Sequence, residues 1–292
     1  MHPLIYELAG SVWAVLPEYL SNMVRLLSEA KDLHPTEPEA RYYSADRGSR
    51  QFLNAGSVAV LPLHGLITHR DSLLSLFFGG TSITGFRSAF RSVLRDPSVS
   101  AIVIDVDSPG GEVSGVEELS AEVYAARGRK PMVAVANTQM ASAAYWIASA
   151  ADEIVVTPSG SVGSIGVLTA HEDLSKALEM SGIKTTIISA GKYKTEANPF
   201  EPLSADAKAH MQAMVDSYGK LFFDRVAKNR DVNPYTVAHG FGQGRMVAAN
   251  RSVPELMADR VATLDQTVRR LVNRSSVPKL SAMRKRELAL YQ

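Results

Sequence analysis

The sequence predicts an α/β protein built on βαβ units, and two features carry that prediction. Ala101–Val106, Met132–Ala136 and Glu153–Val156 read as buried strands. Between them lie helix-forming segments, Glu112–Ala126 and Ser142–Ala151, so strand and helix alternate as in a parallel sheet with crossover helices. A chain of 292 residues that is 46% hydrophobic can bury a real core.

Taken in order, the chain opens with an N-terminal helical arm. Leu16, Leu20, Met23, Val24 and Leu27 recur at helical spacing, and a polar linker through Lys31 to Pro38 follows, so residues 1–55 are set apart as arm and linker. The body is predicted over residues 56–272. It begins with a strand at Ser57–Leu63 and an amphipathic helix over Ser82–Leu94, whose Phe86, Phe90 and Val93 share a face. After the three central strands come a helix over His171–Met180, a strand over Lys184–Ser189 and a long helix from Ser204 to about Asn229. A short strand at Gly244–Val247 and a helix over Val261–Leu271 complete the body, and residues 273–292 form a basic, mobile tail.

Composition narrows the function. Basic and acidic residues number 31 and 30, so nucleic acid is not an implied partner. With no cysteine there can be no disulfide, no Cys-bound zinc and no thiol catalysis. Glu7 interrupts the apolar N-terminus and no basic region precedes it, so it does not read as a signal peptide. The uncharged run Pro131–Ala151 could span a bilayer, but Asn137-Thr138-Gln139 breaks it and it reads as strand, turn and helix. The expectation is a cytoplasmic protein with no membrane partner. No metal-ligand spacing and no phosphate loop is present, so no cofactor is implied.

Three segments carry the chemistry. Ser142 stands between a strand-forming and a helix-forming run, where a nucleophile would meet free N–H groups, although a serine there is also an ordinary N-cap. Asp107-Ser108-Pro109-Gly110-Gly111 follows a strand, and its glycines leave backbone N–H groups available to an oxyanion; by itself it is also an ordinary Pro-Gly turn. Lys194, in Gly191-Lys192-Tyr193-Lys194, offers a base. A lysine accepts a proton only as the free amine, which requires desolvation or a nearby positive charge, and Lys192 could supply the latter.

Together with Gly163-Ser164-Ile165-Gly166, these segments occur in the order and spacing of the signal peptide peptidase A family of serine peptidases (family S49), which the sequence resembles over residues 56–271. Thr169–Asp173 and Asn198–Leu203 look more specifically like the branch encoded by tailed phages, the head maturation proteases. The resemblance implies a ClpP/crotonase-like fold and an endopeptidase acting through an acyl-enzyme on Ser142 with Lys194 as base. It also implies that Ser164 orients the lysine and that Gly110, Gly111 and the Ala143 N–H form the oxyanion hole. Alanine at 143 and 144 departs from the family's usual glycines. Scaffold and capsid proteins would be the substrates, and copies of the chain would assemble into rings that complete sites between neighbours, inside an assembling procapsid. Pro254 is a second departure, falling where a short helix is expected before the last strand.

Rivals follow from the same residues. A Ser-His-Asp triad could draw on His64, His69 or His171, though His171 with Asp173 also reads as a helix cap. A cellular peptidase of the same family would act on membrane-derived peptides. A crotonase-type acyl-CoA enzyme would share fold and oxyanion hole without needing Ser142 or Lys194, and an inactive capsid assembly factor would need neither.

Overall fold

The computed structural model describes residue 8 and residues 11–29, 53–55 and 57–276. The predicted linker between arm and body falls largely outside these residues, as does the tail beyond Ser276. The first elements are strand β1 (Trp13–Val15) and helix α1 (Pro17–Glu29). Then come β2 (Leu53–Ala55), β3 (Val58–His64), β4 (Leu66–Thr68), α2 (Leu73–Phe78), β5 (Gly80–Ser82) and α3 (Ile83–Arg95). The centre of the chain forms β6 (Ala101–Ser108), β7 (Gly110–Glu112), α4 (Val116–Ala125), β8 (Met132–Ala141), α5 (Ala143–Ala148), β9 (Glu153–Val156) and β10 (Ser161–Gly163). The remainder is α6 (Ser175–Met180), α7 (Ala205–Arg230), α8 (Pro234–Gly240), β11 (Met246–Ala248), α9 (Ala249–Ser252), β12 (Arg260–Val261) and α10 (Leu264–Ser276).

The α/β architecture is as predicted. β3, β6, β8 and β9 pair side by side in parallel, and β10 runs parallel to the last residues of β8. Ile102, Ile104, Val106 and Ala134 point to one face and meet Phe86, Phe90 and Val93 of α3, Leu119 and Val123 of α4, and all of α5. On the other face Val58, Val60, Ala101, Val103, Val133 and Val135 are covered by Leu271 of α10. A strand covered on both sides needs apolar residues at every position, which explains the unbroken runs. A smaller sheet, ordered β1-β7-β4-β5, stands beside the first. The arm is not separate from the body: Trp13, Val15, Leu20, Met23 and Leu27 form a cluster with Leu66 and Leu74.

Several boundaries move. Glu112 belongs to β7, and the next helix waits until Val116, because Gly115 adopts φ 81° and ends the preceding turn. The helix expected from His171 is confined to Ser175–Met180. Lys184–Ser189 forms no strand: residues 181–194 are all exposed, and among the described residues no strand pairs with them to satisfy their backbone groups. α9 stops at Ser252, two residues before Pro254, as proline's poor fit to a helix interior requires. Asn273 continues α10 instead of starting a tail, and Val261 lies in β12.

Candidate active site

The parallel strands β8 and β10 end together, and the site is built on their C-terminal ends. Gly163 is in register with Ala141, and its carbonyl accepts the N–H of Ser142 at 2.7 Å. The chain then turns abruptly, with Ser142 at φ 53° and ψ −116°, before entering α5. A non-glycine residue in this region is strained by about 1–3 kcal/mol and persists only where its surroundings dictate it. Ser164, at the end of β10, is held at φ 52°, with its N–H donating to Arg245 O at 3.0 Å. Ser142 Oγ lies 3.4 Å from Gly166 O, at the long limit of a hydrogen bond.

α5 holds this turn rigidly. Every residue from Ala143 to Ala148 is buried, Tyr145 donates its hydroxyl to Met257 O at 2.8 Å, and Trp146 stacks on Phe222 of α7 with centroids 4.2 Å apart. Burial pushes the Tyr145 phenol up, so it is a neutral donor here. Ala143 opens the helix, where the first N–H groups have no intrahelical acceptor. With six residues, however, α5 has a weak macrodipole, so any help to an anion at position 142 comes from individual N–H groups.

Gly110 of β7 faces Ser142, and Gly111 follows it on the same strand. Gly110 takes φ 98°, and a Cβ there would lie 2.2 Å from Ala14 O and 2.9 Å from Ser142 Cβ. At Gly111 a Cβ would come within 1.9 Å of Ile67 O. Glycine is thus required at both positions to let backbone approach. The turn is tied by Ser108, fully buried, whose Oγ donates to Gly65 O at 2.6 Å and accepts the Gly110 N–H at 3.1 Å. The Gly110 N–H therefore already has a partner, while Gly111 pairs with Ala14 of β1.

The single chain brings Ser142, Ser164, Gly110, Gly111 and Ala143 onto adjoining strand ends, and Lys194 makes no hydrogen bond to Ser142 or Ser164. Lys194 lies on the exposed 181–194 segment with its N–H donating to Gly191 O at 3.2 Å, and its amine makes no hydrogen bond or ion pair among the described residues. Lys192 sits over the Tyr193 ring, 4.8 Å from its centroid. Among the described residues no histidine hydrogen-bonds Ser142. His64 pairs with Asp105 at 3.0 Å on the α10 face of the sheet, His69 reaches Ser114 O at 3.3 Å, and His171 reaches Asn198 O at 3.1 Å.

Two features were not anticipated. β1 was hidden inside the arm, although Val12-Trp13-Ala14-Val15 ahead of a proline-started helix has strand composition. An apolar groove opens beside Gly166, lined by Val167, Val215, Phe223, Tyr235 and Ala238, and it depends on α7 and α8 meeting far from the site in sequence.

The sequence model of peptidase family S49 matches residues 125–277, more than half of the chain, and the chain belongs to that family. It is 33% identical over 181 residues to the head-tail preconnector protein GP5 of Enterobacteria phage P21, covering 62% of this chain and 36% of that protein. Against capsid assembly protease C of Escherichia phage lambda the identity is again 33% over 181 residues, covering 62% and 41%. Protease 4 of Salmonella typhi is 29% identical over 214 residues, 73% of this chain and 34% of that protein. The chain thus spans less than half the length of each of these relatives. Among the described residues no helix is long and apolar enough to cross a membrane.

Proposed function

We propose that this protein is a serine endopeptidase of the capsid-assembly kind, which cuts scaffold and capsid proteins during phage head maturation. The observation that carries the reading is Ser142, held at positive φ against a double-glycine strand, because such strain is stored where a side chain must be aimed. In this reading Ser142 Oγ attacks the scissile carbonyl, the Ala143 N–H holds the oxyanion together with the N–H groups of Gly110 and Gly111 once these are released from Ser108 and Ala14, and the acyl-enzyme is then hydrolysed. Lys194 takes the serine proton and Ser164 orients its amine. The groove beside Gly166 receives a substrate side chain.

Lys194 is exposed in the single chain, and so are Met180, Ile183, Ile187, Ile188 and Tyr193 around it. An apolar, unpaired stretch of this kind suits burial against another copy. Assembly would remove the lysine from water and so favour the neutral amine the chemistry needs. Similarity to the two phage proteins favours capsid assembly over a cellular role. The test is to incubate the purified full chain with the scaffold and major capsid proteins of its own genome and follow cleavage by mass spectrometry. Specific cuts made by the wild type and absent with Ser142→Ala are expected. Cleavage of signal peptides alone would move the protein to the cellular branch.

A further inference from the structure

Ser142 is fully buried, although a nucleophile has to meet a peptide, and the chain's own N-terminal strand lies against the glycine strand beside it. β1 pairs antiparallel with β7, Trp13 opposite Glu112, Ala14 opposite Gly111 and Val15 opposite Gly110. The pairing extends at both ends, with the Leu16 N–H donating to Pro109 O at 2.9 Å and the Val113 N–H to Val12 O at 3.2 Å. The other edge of β1 is also occupied: Trp13 and Leu168 exchange two backbone hydrogen bonds of 2.8 Å each, and Thr169 Oγ1 donates to Ser11 O at 3.1 Å. The strand therefore lies in a slot between the double-glycine strand and the segment that follows Ser164.

Its side chains alternate accordingly. Trp13 and Val15 turn into the arm's own cluster, whereas Ala14 turns into the main core, which includes Ala143 and Ala144. The Ala14 carbonyl oxygen and Ser142 Cβ flank the same space at Gly110. An extended peptide bound for hydrolysis must put a carbonyl next to the nucleophile and pair its backbone with available strand edges; β1 pairs along both edges, and its Ala14 carbonyl lies against the Gly110 backbone on the side of Ser142 Cβ.

We propose that residues 11–16 are a built-in pseudosubstrate: they fill the slot that a peptide substrate must enter, with Ala14 in the position of the residue whose carbonyl faces Ser142. This rests on the reading of Ser142 as nucleophile. A tethered strand competes at an effective concentration on the order of millimolar, so a free peptide at ordinary concentrations displaces it only in part and wild-type activity is held low. The arm also anchors it, through the buried Trp13 indole, whose Nε1 donates to Leu8 O at 2.9 Å, and through the packing of Leu20, Met23 and Leu27. Substrates that enter after β1 leaves should resemble it, with a small residue facing the nucleophile and bulky apolar residues on either side.

The chain has no cysteine, so Ser142→Cys introduces a unique thiol whose alkylation by iodoacetamide reports whether the slot is open. In the full chain this thiol should react slowly, and Trp13→Ala should speed the reaction about tenfold or more by loosening the tethered strand. Thr169→Val, which removes one side-chain tie, should speed it by less, and serves if circular dichroism shows that Trp13→Ala is unfolded. With Ser142 restored, the same variants should raise kcat/KM for peptides, and a synthetic peptide of residues 11–17 should inhibit Trp13→Ala more than the parent. A thiol that reacts equally fast with and without the loosening substitution in a folded chain overturns the proposal. Changed alkylation with no peptidase activity in any variant would keep the pseudosubstrate placement and overturn the assignment of function instead.

Discussion

Ser142 and Ser164 stand at the ends of two neighbouring parallel strands, at φ 53° and 52°, joined by a hydrogen bond from the Ser142 N–H to the carbonyl of Gly163, the residue before Ser164. Backbone conformation thus aims both Cα–Cβ bonds, leaving χ1 to place each hydroxyl.

Ser142→Ala should abolish peptide cleavage and leave thermal stability nearly unchanged, since one hydroxyl with a single weak contact is lost. Ser142→Gly should be equally inactive yet more stable than Ser142→Ala by about 1 kcal/mol, because glycine adopts the positive φ without strain. Melting curves of the three proteins check the strain, and peptide assays check the nucleophile.

Lys194→Arg should be as inactive as Ser142→Ala, because a guanidinium stays protonated and cannot accept the serine proton. Lys192→Ala should retain most activity. Since Lys194 lies on the exposed segment, mixing Ser142→Ala chains with Lys194→Arg chains should restore activity that neither has alone. Mixing without recovery, at concentrations where the wild type is active, would mean that each chain supplies its own base.

Ser164→Ala should lower kcat while leaving KM nearly unchanged, as expected for a group that only orients the base. A lysine base works as the free amine, so kcat/KM of the wild type should rise toward alkaline pH. That profile should be the same in His64, His69 and His171 variants, none of which bonds Ser142. A limb that vanished with one histidine would replace Lys194 as base.

Asp259 gives a pH-dependent stability that is independent of the site. Burial opposes its charge, but two hydrogen bonds from Arg230, at 2.8 and 2.9 Å, and the Ile154 N–H at 2.6 Å outweigh it and hold the carboxyl below its ordinary range. A carboxyl that is more acidic when folded stabilises the protein above the unfolded-state value of about 3.9, and loses that contribution as the pH falls toward its folded value. Asp259→Asn should therefore lower Tm at pH 7, and the gap to wild type should narrow below about pH 4.

The central strands and the strand-to-helix turn at Ser142 were legible because their causes are local. Continuous apolar runs such as Ala101–Val106 announce burial on both faces, and Ser82 and Ser204 announced the starts of α3 and α7, which they cap through their hydroxyls. The misreadings came from contacts between residues far apart in sequence. β1 is a strand only because β7 and Leu168 offer it edges, and Lys184–Ser189, with good strand composition, stays unpaired because nothing among the described residues offers it an edge. The groove beside Gly166 was invisible for the same reason. The occupied Gly110 N–H could have been read in principle, since Ser108 stands two residues before it.

The turn at Ser142 also limits the mutational paths open to the protein. Serine and threonine are a single-base change apart and share a hydroxyl, so the exchange is often tolerated elsewhere. At φ 53° it is not, because a side chain branched at Cβ crowds its own backbone in that conformation, and here Cβ already faces the Gly110 backbone. Drift at this position is confined to residues unbranched at Cβ, and of these only serine keeps a hydroxyl on Cβ.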